Sequence, residues 1–394
     1  MKIESVEAIP VRAASAPGQV YWGARTWSAD RGMAVARYPV EARRRYIYSS
    51  TIDSVIVRVR TTDGVTGWGE CKAPVGAPIT AQLVNELLSP LIIDTRLDEI
   101  AVTWERMYAA MRVRGHDSGF WLEALSGVDI ALWDAWGRML DQPICALLGG
   151  AFRREVAVYA SGIPAAPGPD GQTHVREQAR QLVERGYSAI KVAIGVDPAT
   201  DIASVATVRD VVGTTGNVFA DAAGQYDVRQ ALRVGRELEA LGVGFFEMPV
   251  APENIEGYRT LATTLDIPLA LDSLTGRFRA LEFLRAGALH ILQPDVCRAG
   301  GITETMRMAA LADSFGAVAT PHISIGSAIH FAASLQCAAA IPNLEIMEHW
   351  IGDNPLAESV ASDIDVPAGG IRTLPRLPGL GITVDETRVR SLSW

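Results

Sequence analysis

The sequence predicts an α/β protein: a (β/α)8 barrel of the TIM type behind a smaller α+β region. Three observations lead there. From about residue 155 onward, short apolar runs alternate with helical stretches eight times. Ionisable residues close those apolar runs at the spacing of one strand–helix unit. The first part of the chain reads differently, as alternating strands joined by a tight turn.

The elements follow in order. "MKIESVEAIPV" and "DSVIVRVRTTDGVTGWGE" alternate apolar and polar residues, with Asp63-Gly64 as a hairpin turn. Residues 13 to 50 lie between them and contain Tyr21, Trp22, Trp27 and several arginines. A connection of that length is as a rule functional or mobile. Two helical patterns follow, "ITAQLVNELLSPLII" and "FWLEALSGVDIALWDAWGRMLD", and Gly149-Gly150 closes the region. Then come the apolar runs "VAVYASG", "AIKVAIG", "VFADAAG", "GFFEMPV", "LALDSLT", "HILQPDV", "AVATPHIS" and "LEIMEHW". Continuous apolar strands joined by helices imply a parallel sheet covered on both faces. Eight units in about 220 residues fit a closed barrel better than an open sheet. The tail "LPRLPGLGITVDETRVRSLSW" is rich in proline and glycine and is expected to return to the first region.

Composition narrows the function. A net charge of −9 over 394 residues, with no lysine–arginine tract, argues against a nucleic-acid partner. Hydrophobic content of 48% describes a globular chain with a large core. The start lacks the apolar segment of a signal peptide, and no apolar stretch is long enough to span a bilayer, so no membrane partner is expected. Cys71, Cys145, Cys297 and Cys337 are scattered without a paired spacing. They read as reduced thiols of a cytoplasmic protein.

The ionisable residues at the strand ends carry the chemistry. They are Lys191, Asp221, Glu247, Asp272, Asp295, His322 and Glu348, separated by 30, 26, 25, 23, 27 and 26 residues. They therefore end the second to eighth barrel strands, at the face where barrel enzymes place their active sites. One acid at such a place is often a helix cap; seven in phase are not so explained. Asp221, Glu247 and Asp272 end three consecutive strands. Converging carboxylates repel unless a cation sits among them, and an all-oxygen set suits a hard ion such as Mg²⁺. Asp295 and His322 end neighbouring strands. A carboxylate on one ring nitrogen fixes the tautomer and raises the basicity of the other, which makes a general-base pair. His290 and His330 lack this setting and read as structural; His349, just past the last strand, is left unassigned.

This constellation resembles the enolase superfamily, in its mandelate racemase-like subgroup, over nearly the whole chain. "GVDIALWDAWGRMLDQPICALLGG" is similar to the family's approach to the barrel, and "ADAAG", "FEMP" and "ALDS" to its three metal-ligand strands. "LQPDVCRAGGITE" followed by "TPHIS" resembles its Asp–His pair, "MEHW" places Glu348 at its eighth-strand acid, and "PGLG" matches its tail. The resemblance implies an α+β capping domain over residues 1–128, completed by the tail 371–394, on a barrel over 129–370. Residues 13 to 50 and the loop Cys71 to Pro78 become the closing loops, with Tyr21, Trp22, Trp27 and Lys72 as candidate substrate-binding residues. It further implies Mg²⁺ on Asp221, Glu247 and Asp272, with a small-molecule carboxylate as substrate. A base removes the proton alpha to the carboxylate, and the metal stabilises the enediolate. Homo-oligomeric assembly is also expected.

Two positions depart from the family pattern. Its second barrel strand usually reads Lys-x-Lys; here Lys191 is followed by Ala193. Strand side chains alternate, so both residues face inward, with Lys191 about 6.5 to 7 Å deeper. Lys191 can offer positive charge or pair with a barrel carboxylate such as Asp221, but it is badly placed as a second base. Ala223 stands where the family often has asparagine. Elimination of water needs one base, whereas epimerisation normally needs one on each face. His322 can serve as base and as acid when both groups leave from one side. The expected activity is thus dehydration of a polyhydroxy (sugar) acid to a 2-keto-3-deoxy acid, a hydro-lyase reaction. His322, Asp295, Lys191 and Glu348 are the candidate catalytic residues. An epimerase or racemase, a dehydratase of a hydroxyproline-like carboxylate, and a non-catalytic ligand-binding relative remain as alternatives.

Overall fold

The computed structural model describes residues 1–14, 51–352, 354–362 and 369–394. Tyr21, Trp22 and Trp27 lie outside them. Strands β1 (Ile3–Ala13), β2 (Ile52–Thr61) and β3 (Thr66–Cys71) form an antiparallel sheet in that order. Asp63-Gly64 lies in the turn between β2 and β3, with Gly64 at φ +83°. The long apolar helix Phe120–Leu140 lies across β2 and β3 and continues through residue 128. Its approach is possible only without side chains. A Cβ on Gly69 would fall 1.9 Å from the Gly127 carbonyl oxygen, and one on Gly127 would fall 2.4 Å from Cys71 Sγ.

Eight strands follow, as the apolar runs predict. They are β4 (Glu155–Pro164), β5 (Ala189–Ala193), β6 (Asn217–Asp221), β7 (Phe246–Glu247), β8 (Leu269–Leu271), β9 (Ile291–Leu292), β10 (Val318–Ala319) and β11 (Met347–Trp350). All pair in parallel, in an unbroken ladder from β10 through β9 down to β4 and on to β11. At the remaining seam the Ala319 amide donates to Asn343 O, ahead of β11, at 3.1 Å. A helix follows each of β4 to β10, from Gly168–Glu184 to Ala328–Ala340.

Alternation along β5 shows how the barrel sorts its residues. Ile190 and Val192 join the apolar layer between strands and helices. Ala189 faces inward among Tyr159, Phe219, Phe245, Ala270 and Ile291, which plug the barrel. Phe219 and Phe245 stack there at 4.1 Å between ring centroids. Lys191 stands on this apolar floor, with its Nζ 5.4 Å from the Tyr159 ring centroid.

The tail touches both parts of the chain: Ile371–Thr373 pairs with the barrel strand β4, the Leu380 amide donates to Asp134 Oδ1 at 2.8 Å, and the Arg12 amide donates to Leu392 O at 2.9 Å. Asp134 also accepts from the Trp68 amide, so one buried carboxylate ties sheet, helix and tail together. Among the described residues no helix is long and apolar enough to cross a membrane.

Candidate active site

The carboxyl ends of the strands open into a cavity of about 510 Å³. Its lining includes Lys72, Glu123, Lys191, Asp221, Asp272, Arg298, His322 and Glu348. Asp221 and Glu247 are the last residues of β6 and β7 and stand side by side in the ladder. Asp272 follows β8 directly, and Glu348 lies within β11. Asp295 and His322 sit three residues past β9 and β10. The strands thus bring the seven ionisable residues to one end of the barrel.

Lys191 is 2% exposed and is closed by ion pairs. Its Nζ lies 2.7 Å from Glu247 Oε2, 2.7 Å from Glu348 Oε1 and 3.7 Å from Asp221 Oδ2. The sequence suggested Asp221 as a partner; Glu247 and Glu348 are nearer because their longer side chains reach down to the buried ammonium. Burial opposes the charge on Lys191, but Glu247, Glu348, Tyr159 and Asp221 outweigh it and hold the amine well above its ordinary range. Burial also works against Glu348, yet Lys191, His322 and a hydrogen bond from Ser161 hold its carboxyl at about 2. The charge of Lys191 is thus spent on the carboxylates around it, which makes it a poor base. Ala193, one step nearer the mouth, adds no ionisable group.

The opposite side carries the histidine–carboxylate pair. His322 Nδ1 lies 3.0 Å from Asp295 Oδ2. Asp295 also takes Lys72 Nζ at 2.5 Å and the Cys297 amide at 3.0 Å, and His330 Nε2 stands 3.1 Å from its other oxygen. Burial would raise the Asp295 carboxyl, but Lys72, His330 and His322 hold it well below the usual carboxylate range. An ionised Asp295 accepts, so Nδ1 is the donor of this bond and Nε2 is the ring nitrogen left for the pocket. Nε2 faces the pocket, 3.6 Å from Asp272 Oδ2 and 3.7 Å from Glu348 Oε2. Lys72 therefore serves the base pair while also lining the cavity.

The acid cluster suits a cation. Ligand atoms of Glu247 and Asp272 lie within 4.8 Å of one another, in a set that His322 completes rather than the expected Asp221. Among the described residues, Glu247 Oε1 and Asp272 Oδ1 are buried without a hydrogen-bond partner. Burial and the Asp221 carboxylate push Glu247 well above its usual range, and Glu348 and Asp272 add to the effect against the pull of Lys191. Two orphaned oxygens in a cluster of like charges are what a hard divalent ion satisfies. The backbone at the strand ends is strained as well: Ala223 and Met248, just past β6 and β7, have φ +45° and +39°. Ala223 holds this left-handed turn while its amide donates to Asp221 Oδ1 at 2.8 Å. Such outliers gather at sites where side chains must be aimed.

His290 lies away from the cavity, whereas His330, which the sequence set apart from the Asp295–His322 pair, stands 3.1 Å from Asp295. His290 Nδ1 accepts from the Leu269 amide, and His330 is buried behind Asp295. His349 points out of the barrel, stacked on Tyr187, with Arg372 Nη2 2.9 Å from its Nδ1. Sequence reasoning missed Gln293, which donates to Glu247 Oε2 at 2.9 Å, and the pair Glu123 and Arg298. The available signal was an acid within an apolar helix, since such a residue is seldom buried without a task.

Fold and site together define a capped barrel with an ionisable pocket at its strand ends. The chain matches the family model "Enolase C-terminal domain-like" over residues 174–388 and "Mandelate racemase / muconate lactonizing enzyme, N-terminal domain" over 33–149. It belongs to the mandelate racemase / muconate lactonizing enzyme group of the enolase superfamily. It is 34% identical over 344 residues to D-galactarolactone cycloisomerase of Agrobacterium fabrum, covering 84% of this chain and 89% of that one. It is 32% identical over 337 residues to arabinonate dehydratase of Saccharolobus solfataricus (85% and 89%). It is also 32% identical over 356 residues to D-galactonate dehydratase of Variovorax paradoxus (85% and 90%). A solved enolase superfamily member from Agrobacterium tumefaciens superposes with a TM-score of 0.89 at 28% identity, covering 99% of this chain and 98% of that one.

Proposed function

We propose that the protein is a Mg²⁺-dependent acid-sugar dehydratase of the cytoplasm. The observation that carries this reading is the asymmetry of the pocket: a histidine with a lone pair on one side, and a lysine consumed by ion pairs on the other. One base suffices for elimination, and several relatives at 31–32% identity bear the names of acid-sugar dehydratases.

Asp221, Glu247 and Asp272 would hold the ion, with Gln293 steadying Glu247. Bound there, Mg²⁺ supplies positive charge to the substrate carboxylate and so acidifies the neighbouring C–H. His322 Nε2 takes that α proton. Asp295 orients the ring and stabilises the imidazolium, and Lys72 keeps Asp295 ionised. Lys191 holds Glu348 and Glu247 in place and offsets part of the negative charge at the deep end of the pocket. Loss of the β-hydroxyl then gives an enol, which ketonises to the 2-keto-3-deoxy acid.

The test is a screen of aldonates, aldarates, hydroxyproline and sugar-acid lactones, following formation of the 2-keto acid. A lactone set is included because one relative is named for galactarolactone. Turnover of at least one polyhydroxy acid is expected, lost on exhaustive chelation and restored by Mg²⁺. Epimerisation without dehydration, or full activity after chelation, contradicts the reading.

A further inference from the structure

The base in the pocket is accounted for, but the leaving hydroxyl needs a proton, and the cap offers a group suited to supply it. Glu123 sits in the first turn of the helix Phe120–Leu140, otherwise so apolar that its other acids are fully engaged: Asp129 with Thr303, Asp134 with Leu380, Trp68 and Arg138. Glu123 is not so engaged. Its side chain is 13% exposed and lines the active-site cavity together with Lys72 and His322. Among the described residues its one ion pair is a long one, 3.7 Å to Arg298 Nε. Of the other acids that line the cavity, Glu348 and Asp221 pair with Lys191, and Asp272 stands 3.6 Å from His322 Nε2 among the residues proposed to hold the ion.

We propose that Glu123 is the general acid of the elimination, donating its carboxyl proton to the β-hydroxyl as it leaves. This rests on the dehydratase reading above. His322 Nε2 removes the proton from Cα, the electron pair of that bond forms the Cα–Cβ double bond, and the Cβ–O bond breaks. The Glu123 proton passes to the departing oxygen, so water is released, Glu123 is left as carboxylate and His322 as imidazolium. Solvent returns the proton to Glu123, and His322 gives its proton up during or after ketonisation.

Two features support the assignment. Glu123 and His322 line one cavity, and Lys72, which lines it with them, is bonded to Asp295 behind His322. Burial raises the Glu123 carboxyl to about 7, against the pull of Arg298 and Lys72, so a protonated fraction is present near neutral pH.

Glu123→Gln tests the proposal on a substrate the wild type dehydrates and on its β-fluoro analogue, whose leaving fluoride needs no proton. Dehydration of the hydroxy acid is expected to fall about 10²–10³-fold. Fluoride release is expected to stay within about threefold of wild type, and α-proton exchange into D₂O to persist. Glu123→Asp, which keeps a carboxylic acid at this place, is expected to recover part of the dehydration while leaving fluoride release unchanged. Equal loss with hydroxy and fluoro substrates, or a Glu123→Asp variant no more active in dehydration than Glu123→Gln, makes Glu123 a strut between cap and barrel and overturns the proposal. Unchanged dehydration by Glu123→Gln overturns it too while leaving the dehydratase reading intact. A wild type that dehydrates no acid sugar overturns both.

Discussion

Two walls of the same pocket are made from the same part, a barrel strand ending in an ionisable side chain, yet they behave as opposites. On the β5–β7 wall, Lys191 lies between Glu247 and Glu348 at 2.7 Å from each, with Ala193 above it. On the β9–β10 wall, Asp295 holds one nitrogen of His322 and leaves the other open to the cavity. A charge that is fully paired shapes a pocket, whereas a group left with one free valence reacts in it. Depth along the strand makes the difference: Lys191 reaches the apolar floor, where a charge must be paired, and the next inward position carries only a methyl group.

The largest effect expected from breaking this comparison is on the histidine wall. His322→Asn should lower turnover about 10³–10⁴-fold with fold and metal affinity retained, measured by steady-state kinetics and metal titration. Activity within about tenfold of wild type would move the base elsewhere. On the opposite wall the expected loss is in stability. Lys191→Met leaves Glu247 and Glu348 facing each other without a cation, which should cost about 3–5 kcal/mol in denaturant unfolding of the metal-free protein. A variant of wild-type stability that no longer exchanges the α proton would instead mark Lys191 as a base. Asp295→Asn should fall between these, slowing turnover about 10²-fold by loosening the tautomer while barely changing substrate KM.

Legibility followed the same division. The seven strand-end residues were readable because barrel periodicity spaces them by one unit, and the Asp295–His322 pair because its motifs are distinctive. The partners of Lys191 were not, since side-chain length decides which of three acids reaches a buried ammonium. Lys72 was read as a substrate residue from its place in a loop; its bond to Asp295 is a contact between domains that spacing does not encode. Glu123 was missed for the same reason, being brought to the pocket by the packing of the cap helix. Tyr21, Trp22 and Trp27 fall outside the described residues.

A smaller effect separates the two faces of β11. Glu348 points inward, and His349, the next residue, points outward beside Arg372. Burial, Arg372 and Arg185 lower the His349 imidazole to about 3. The unfolded chain binds a proton there below pH about 6.5 and the folded one does not, so stability should fall as the pH drops from about 6.5 toward 3. The loss at pH 5 should be about 2 kcal/mol relative to pH 8, seen in denaturant midpoints. His349→Gln should remove that slope without changing the α-proton chemistry. A slope unchanged in the variant would mean His349 is protonated in the fold.

The one-sided pocket is tested most directly by proton exchange. Wild-type enzyme in D₂O is given each α epimer of its substrate in turn, and NMR follows deuterium at Cα and the product. With His322 as the lone base, one epimer exchanges or dehydrates and the other keeps its α proton, with no conversion between them. Exchange of both epimers at comparable rates would reveal a second base on the Ala193 side and contradict the account.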